Sequence, residues 1–350
     1  MSYGKFGPCN APWNNMYFNT QGRVAPCWKL PGFVDNWTPD RSINDIWNGE
    51  HFQKYRDALS KNIFLDRCKE CKHEMDNDVW PLAKAYGELP VNDNGYPSMI
   101  ELEVSNQCNL ECIMCSPLLS NGLAKKKGIG DHRGFLEPYN SSFREQLKEY
   151  YPHLQELRFN GGEPFAQKLV LEICEDVAEI CPELPISIAT NGSIMNKRVK
   201  HLLEICNIQI NISIDSLIPE DYAKIRINGD LNKVMKNFEI FREHCRKRDV
   251  TFSVMVNPMR MNWREMPSFV DLCHEKNVRL WFNTVLYPRE HALWNLPVNE
   301  LVEVYNTLSA ETALRKDFFE HSKLHHLVED QIKNWVLDAY TEDKTKKLHP

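Results

Sequence analysis

Met99-Ile-Glu-Leu-Glu-Val-Ser-Asn-Gln-Cys-Asn-Leu-Glu-Cys-Ile-Met-Cys115 decides how the rest of the chain is read. Its first half alternates. Ile100, Leu102 and Val104 share one face and Glu101, Glu103 and Ser105 the other, so Met99–Ser105 reads as a strand. Its second half sets Cys108, Cys112 and Cys115 at C-x3-C-x2-C spacing in the loop that follows. Structural metal sites usually close with four protein ligands, whereas a position left open marks a site that does chemistry. A [4Fe–4S] cluster on three cysteines leaves one iron free to bind something else. Structural zinc, completed by a fourth ligand from elsewhere, is the alternative.

Outward from this stretch, strand and helix patterns alternate. Candidate strands are Met99–Ser105, Glu156–Asn160, Ile186–Asn191, Ile208–Ser213, Thr251–Asn257 and Val278–Thr284. Helical periodicity fills the intervals over Phe143–Tyr151, Leu169–Ile180, Lys197–Cys206, Leu231–Arg248 and Trp263–Lys276. Six βα units in order predict an α/β fold with a parallel sheet, closed or partly closed into a barrel. Strands of such a barrel normally read as continuous apolar runs, yet these alternate. In Ile208-Gln-Ile-Asn-Ile-Ser-Ile-Asp215 the isoleucines take one face and Gln209, Asn211, Ser213 and Asp215 the other. Leu157 and Phe159 oppose Arg158 and Asn160, and Thr251, Ser253 and Asn257 oppose Phe252, Val254 and Val256. A packed core does not tolerate so many polar groups without partners, so the polar faces predict a ligand cavity.

Active sites of βα barrels lie at the C-terminal ends of the strands, and polar motifs recur there. Gly161-Gly-Glu-Pro164 follows the second strand, Thr190-Asn-Gly192 ends the third, and Ser213-Ile-Asp-Ser216 ends the fourth. Glycines expose backbone to a ligand, and a carboxylate can meet an ammonium group. Arg226, in Asp221-Tyr-Ala-Lys-Ile-Arg226, is either a ligand-directed cation or a solvated helix residue.

The 350 residues have ordinary globular composition, 42% hydrophobic and 26% charged, with a net charge of −6. That charge offers no general electrostatic attraction for nucleic acid. No apolar run approaches the ~18 residues of a membrane span, and Met1–Pro8 lacks the apolar stretch of a signal peptide. A cytoplasmic protein is expected, with no membrane and no nucleic acid among its partners. In that reducing setting, twelve cysteines favour metal over disulfides. Cys174, Cys181, Cys206, Cys245 and Cys273 sit in helical patterns and read as small hydrophobes.

Residues 1–85 read as a separate cysteine-bearing module. Trp13–Trp28 alternates around Thr20-Gln-Gly22 as a β-hairpin, and Ser42 caps a helix whose apolar face runs from Ile43 to Leu59. Cys9, Cys27, Cys68 and Cys71 are its candidate ligands, for either zinc or an iron–sulfur cluster. Residues 86–97 have linker composition, 98–290 form the core, and 291–350 a helical extension whose charged end, Glu342–Leu348, is expected to fray.

The triplet with Gly161-Gly-Glu-Pro164 resembles the radical S-adenosylmethionine (SAM) superfamily. That resemblance implies a partial (β/α)6 barrel with a SAM-binding catalytic cluster on Cys108, Cys112 and Cys115, reductive SAM cleavage, and a 5′-deoxyadenosyl radical. It implies cofactor contacts for Gly161, Gly162, Glu163, Pro164, Asn191, Ser213, Asp215 and Arg226. Many members carry an aromatic residue where Met114 stands, packed on the adenine. A thioether can serve similarly. Cys9, Gly22, Cys27 and Cys68-Lys-Glu-Cys71 resemble the twitch module, the short form of the SPASM domain, and imply an auxiliary [4Fe–4S] cluster. In better-known members this module follows the barrel, whereas here it precedes it.

The resemblance further implies a flavodoxin or ferredoxin-type electron donor and a small polar molecule or a peptide as substrate. Dehydrogenation, peptide modification and epimerisation all stay open, as does a non-catalytic zinc or iron–sulfur scaffold.

Overall fold

The computed structural model describes residues 4–30, 34–65, 68–76, 82–129 and 137–348. Residues 31–33, 66–67 and 77–81 of the N-terminal module lie outside them. The chain divides into two compact units. One comprises Met1–Asn109, Pro117–Ala189 and Ile194–Gln209, the other Leu110–Ser116, Thr190–Ser193 and Ile210–Pro350.

In the first unit the strands are β1 (Asn15–Phe18), β2 (Arg23–Ala25), β3 (Asp35–Asn36), β4 (Met99–Leu102), β5 (Glu156–Phe159) and β6 (Ile186–Thr190). The β1–β2 hairpin closes on Asn19, whose Oδ1 accepts from Gln21 N (2.9 Å) and Arg23 N (3.0 Å), with Gly22 at φ 79°. The sequence did not reveal where this hairpin goes. β1 pairs in parallel with β4, Asn15 opposite Met99 through Phe18 opposite Leu102, so the hairpin extends the sheet that continues in parallel through β5 and β6.

The helix expected from Ser42 to Leu59 is two helices, Ile43–Trp47 and Glu50–Ser60. Ser42 is the N-cap as expected, and the structure adds a capping box with Asp45. The break falls at Asn48-Gly49, where Gly49 adopts extended backbone and a Cβ would stand 2.6 Å from Asp45 O. Glycine is a poor helix interior residue, and here it starts the second helix. Helices Ser141–Lys148, Lys168–Ile180 and Lys197–Ile205 fall within two or three residues of expectation.

In the second unit β7 (Ile208–Ser213), β8 (Phe252–Val256) and β9 (Arg279–Phe282) run parallel. β7 alternates as read: its isoleucines are buried and Gln209, Asn211 and Ser213 are half-buried. Leu231–Arg248 and Met266–Lys276 are the flanking helices, ended by Asp249 and Asn277 in the left-handed region. The C-terminal extension is helical. Its last helix, Lys333–Leu348, continues through the segment expected to fray, consistent with its content of Lys, Glu and Leu.

The α/β class and the strand–helix succession are those of a partial (β/α)6 barrel. Among the described residues no helix is long and apolar enough to cross a membrane. Cys174, Cys206, Cys245 and Cys273 are buried as small core residues, and Cys181 is half-buried.

Two polar strand residues depart from the cavity reading. Glu101 is sealed at 1% exposure, accepting from Asn15 Nδ2 (2.9 Å) and Tyr86 OH (2.6 Å) and lying 3.5 Å from Arg158 Nη1. Ser253 is buried in β8, and among the described residues its Oγ has no hydrogen-bond partner.

Candidate active site

In the first unit β4 runs into Glu103–Cys108, and this segment is tied to the Gly161-Gly162 turn. Glu163 N donates to Gln107 O (2.8 Å), and Gln167 Nε2 reaches Gly161 O (3.0 Å), Ser105 O (3.2 Å) and Gln107 O (3.4 Å). Both glycines have positive φ, 74° and 56°. A Cβ on Gly162 would run into Gln107 O, and one on Gly161 would stand 2.9 Å from Glu103 Cβ. The turn therefore needs glycine for both conformation and close approach. Asn121 Oδ1 holds Cys108 N at 3.1 Å.

Glu163 is fully buried, and its carboxylate accepts from Phe165 N (3.1 Å), capping the short 3-10 helix Pro164–Ala166. Gln167 was missed in the sequence, where a lone Gln after Pro-Phe-Ala carries no signal. It is buried, and among the described residues its Oε1 has no hydrogen-bond partner.

In the second unit the loop around Cys112 is clamped from both sides. Glu111 N donates to Ile227 O (3.1 Å) and Ile113 N to Ile225 O (3.0 Å), which brings Arg226 onto Cys112 with Nη1 3.9 Å from Sγ. Cys115 N donates to Cys112 O (3.0 Å). Arg226 pairs with Asp215 at 2.6 Å, both side chains nearly inaccessible. Asp215 Oδ1 also accepts from Asn257 N (2.7 Å) and Nδ2 (3.0 Å), and Asn262 Nδ2 holds Asp215 O at 2.7 Å. Burial pushes the Cys112 thiol up, Arg226 pulls it down, and Asp215 pushes it up.

Ser213 lies half-buried at the end of β7. Asn191 Oδ1 accepts from Ser193 N (2.9 Å) in the turn after β6. Met114 packs with Ile113 and Trp294 on Ile225, Met259, Val285 and Ala292. Trp294 is a further aromatic that the sequence reading did not single out.

The N-terminal cysteines converge. Cys9, Cys27, Cys68 and Cys71 line one cavity with Pro12, Leu30, Tyr55, Leu59, Phe64 and Met75 among its apolar walls. Burial raises the Cys9 thiol to about 12 and the Cys27 and Cys71 thiols above their ordinary value. Thiolates in so apolar a site call for a bound cationic centre to offset their burial. Tetrahedral zinc, with Zn–S of about 2.3 Å, would need its sulfurs about 3.8 Å apart. Among the described residues no group of three or more His, Cys, Asp or Glu side chains is placed to hold a metal ion as it stands. Four thiols around one cavity are the donor set of a closed four-cysteine site, which suits an iron–sulfur cluster as it does zinc.

Tyr86 lines that cavity and donates to Glu101. Beside it, Tyr17 OH donates to Glu103 Oε2 at 2.7 Å. Burial raises the Glu103 carboxyl to about 7; the Tyr17 hydrogen bond opposes this and Glu101 adds to it. Between about pH 4.5 and 7 the folded chain keeps a proton that the unfolded chain has released, so this group lowers stability as pH rises across that window. Glu103→Gln is expected to flatten that slope and to stabilise the protein above pH 7 by on the order of 1–2 kcal/mol. Urea midpoints at pH 5 and 8 measure it, and an unchanged slope would contradict it.

Comparison with known proteins assigns two domains to the chain. Residues 102–273 match the radical SAM superfamily, and residues 9–72 match the SPASM iron–sulfur cluster-binding domain. The chain is a radical SAM protein whose SPASM domain lies N-terminal to the radical SAM domain. Its cofactors are accordingly a catalytic [4Fe–4S] cluster, SAM and an auxiliary iron–sulfur cluster. The first match spans Cys108, Cys112 and Cys115, and the second spans Cys9, Cys27, Cys68 and Cys71.

Among curated relatives, molybdenum cofactor biosynthesis protein moc-5 of Caenorhabditis elegans is 27% identical over 184 residues, 52% of this chain and 29% of that protein. A GTP 3′,8-cyclase of Clostridium botulinum is 25% identical over 248 residues, 70% of each. One from Alkaliphilus oremlandii is 27% identical over 203 residues, 56% of this chain and 58% of that one. Among solved structures, Streptococcus suis SuiB bound to precursor peptide SuiA aligns with TM-score 0.46 at 12% identity, covering 75% of this chain and 52% of that one. The structure of anSMEcpe with bound AdoMet aligns with TM-score 0.45 at 18% identity, covering 63% and 60%.

Proposed function

We propose that this radical SAM protein couples SAM cleavage to the two-electron oxidation of a polar substrate, a small molecule such as an amino sugar or a peptide. The observation that carries this reading is the ring of four thiols around one apolar cavity. Four cysteines close the coordination of a cluster and leave no iron for substrate, which favours electron exchange over substrate binding. When loaded, the SAM-bound centre supplies a hydrogen-abstracting radical and the second centre an electron acceptor.

The chain's own residues do the rest. Cys108, Cys112 and Cys115 would hold the catalytic centre, and the Gly161-Gly162 turn packs its backbone against the segment that leads to Cys108. Glu103, with one oxygen on Tyr17 and an affinity for protons centred near neutrality, takes up the proton that an oxidised alcohol or amine releases. Epimerisation would instead need a thiol to return hydrogen. Cys174, Cys206, Cys245 and Cys273 are buried, and burial raises the thiols of Cys174, Cys245 and Cys273, which argues against this set in that role.

A flavodoxin or ferredoxin-type protein of the cytoplasm is the proposed electron donor. Cys68→Ala is expected to keep 5′-deoxyadenosine release within about threefold while removing the four irons of the auxiliary cluster. Iron analysis beside a chromatographic SAM-cleavage assay measures both, and a variant with full iron content would end the auxiliary-ligand assignment.

The second reading is cyclisation of a nucleotide, favoured by similarity to GTP 3′,8-cyclases over 70% of the chain. Incubating the loaded protein with GTP, SAM and dithionite separates the two. Consumption of GTP in step with 5′-deoxyadenosine would favour cyclisation, and uncoupled 5′-deoxyadenosine release would favour a different substrate.

A further inference from the structure

Arg226 was expected to be either a ligand-directed cation or a solvated helix residue, and it is not solvated. Its side chain is 6% exposed, its Nη2 is 2.6 Å from Asp215, its Nη1 is 3.9 Å from Cys112 Sγ, and its Nε is buried with no hydrogen-bond partner among the described residues. This position is built by the backbone. The two hydrogen bonds Glu111 N to Ile227 O and Ile113 N to Ile225 O bracket Cys112 on one strand of chain and Arg226 on the other. The guanidinium is thus held between Asp215 and one cysteine of the candidate catalytic site.

We propose that Arg226 is a positioning residue that sets the reduction potential of the catalytic cluster through Cys112, and that Asp215 attenuates its effect. The catalytic cluster gains one negative charge on reduction. A cation fixed beside a ligand sulfur, in surroundings of low dielectric, stabilises the reduced form more than the oxidised form. Asp215 acts in the opposite sense from the far side of the guanidinium, so the pair delivers a reduced field from a buried cation that would otherwise lack a counterion. Asn257 and Asn262 hold Asp215 in place from the loop after β8.

The two charges therefore make predictions of opposite sign, which loosening of the fold would not produce. The test is an EPR-monitored redox titration of the anaerobically reconstituted full chain without SAM, with the auxiliary cluster as internal control. Arg226→Gln is expected to disfavour reduction of the catalytic cluster about tenfold, a shift of about 59 mV to more negative potential for one electron. Asp215→Asn is expected to shift it to more positive potential, and Arg226→Lys to stay near wild type. The auxiliary midpoint should not move in any of them.

Shifts of the same sign in Arg226→Gln and Asp215→Asn, or wild-type midpoints in both, would overturn the proposal. Should Arg226→Gln fail to load iron, Asp215→Asn alone decides it: a positive shift supports the proposal, and no shift or a negative one refutes it. The inference rests on Cys112 being a cluster ligand. That reading fails separately, if Cys112→Ala keeps wild-type iron content and both EPR signals.

Discussion

Cys112→Ala is expected to abolish 5′-deoxyadenosine release on addition of SAM and dithionite and to lower the iron content from about eight to about four per chain. The argument is one of coordination. Three thiolates leave one iron open for cofactor, so losing one leaves two ligands and a second iron without a protein donor. Replacement also strands Arg226, whose Nη1 faces Cys112 Sγ at 3.9 Å while its Nη2 is paired to Asp215. A buried guanidinium that loses a negative neighbour adds a stability cost to the loss of metal. Cys273→Ala is the matched control. Cys273 is fully buried in the helix Met266–Lys276, where it acts as a small hydrophobe. Its truncation should cost about 1 kcal/mol and leave SAM cleavage intact. If both variants behave alike, the distinction between ligand and core cysteines is wrong.

Gly162→Ala carries the second large effect. The added Cβ would run into Gln107 O and meet Gln167 Nε2 at 2.7 Å and Ser105 O at 3.0 Å, all at a backbone φ of 56°. Two of these atoms are main-chain groups of the segment leading to Cys108, so relief requires the turn and that segment to separate. The hydrogen bonds from Glu163 N and Gln167 Nε2 would be lost with it. Strain and clash together should cost roughly 3–5 kcal/mol, and SAM cleavage should fall at least about a hundredfold. Thermal denaturation and the 5′-deoxyadenosine assay measure the two effects. A stable, fully active Gly162→Ala protein would show that the close approach is unnecessary.

Local pattern carried most of the core. The isoleucine alternation of Ile208–Ser213 was legible because one face is buried and the other is not, and Leu231–Arg248 because of its helical periodicity. What was not legible depends on partners far away in sequence. Nothing in Asn15–Phe18 says that its neighbour is Met99–Leu102, more than eighty residues on. Glu101 reads as cavity-lining until Asn15, Tyr86 and Arg158 arrive from three separate segments to seal it.

The site divides the same way. Spacing singled out Cys108, Cys112 and Cys115 as candidate ligands, and residue type marked the four N-terminal cysteines that line one cavity, because thiol chemistry is carried by residue type. The orientation of Arg226 and Asp215 was hidden, since only backbone pairing of 111–113 with 225–227 turns the guanidinium inward. Gln167 was hidden for a related reason: a buried amide that ties a turn to a loop has no signature in residue type or period.

Anaerobic reconstitution of the full chain with iron and sulfide, followed by iron analysis and SAM cleavage under dithionite, tests the central claim most directly. The account predicts about eight irons per chain and release of 5′-deoxyadenosine. Bound zinc in place of iron, with SAM left intact, would contradict it.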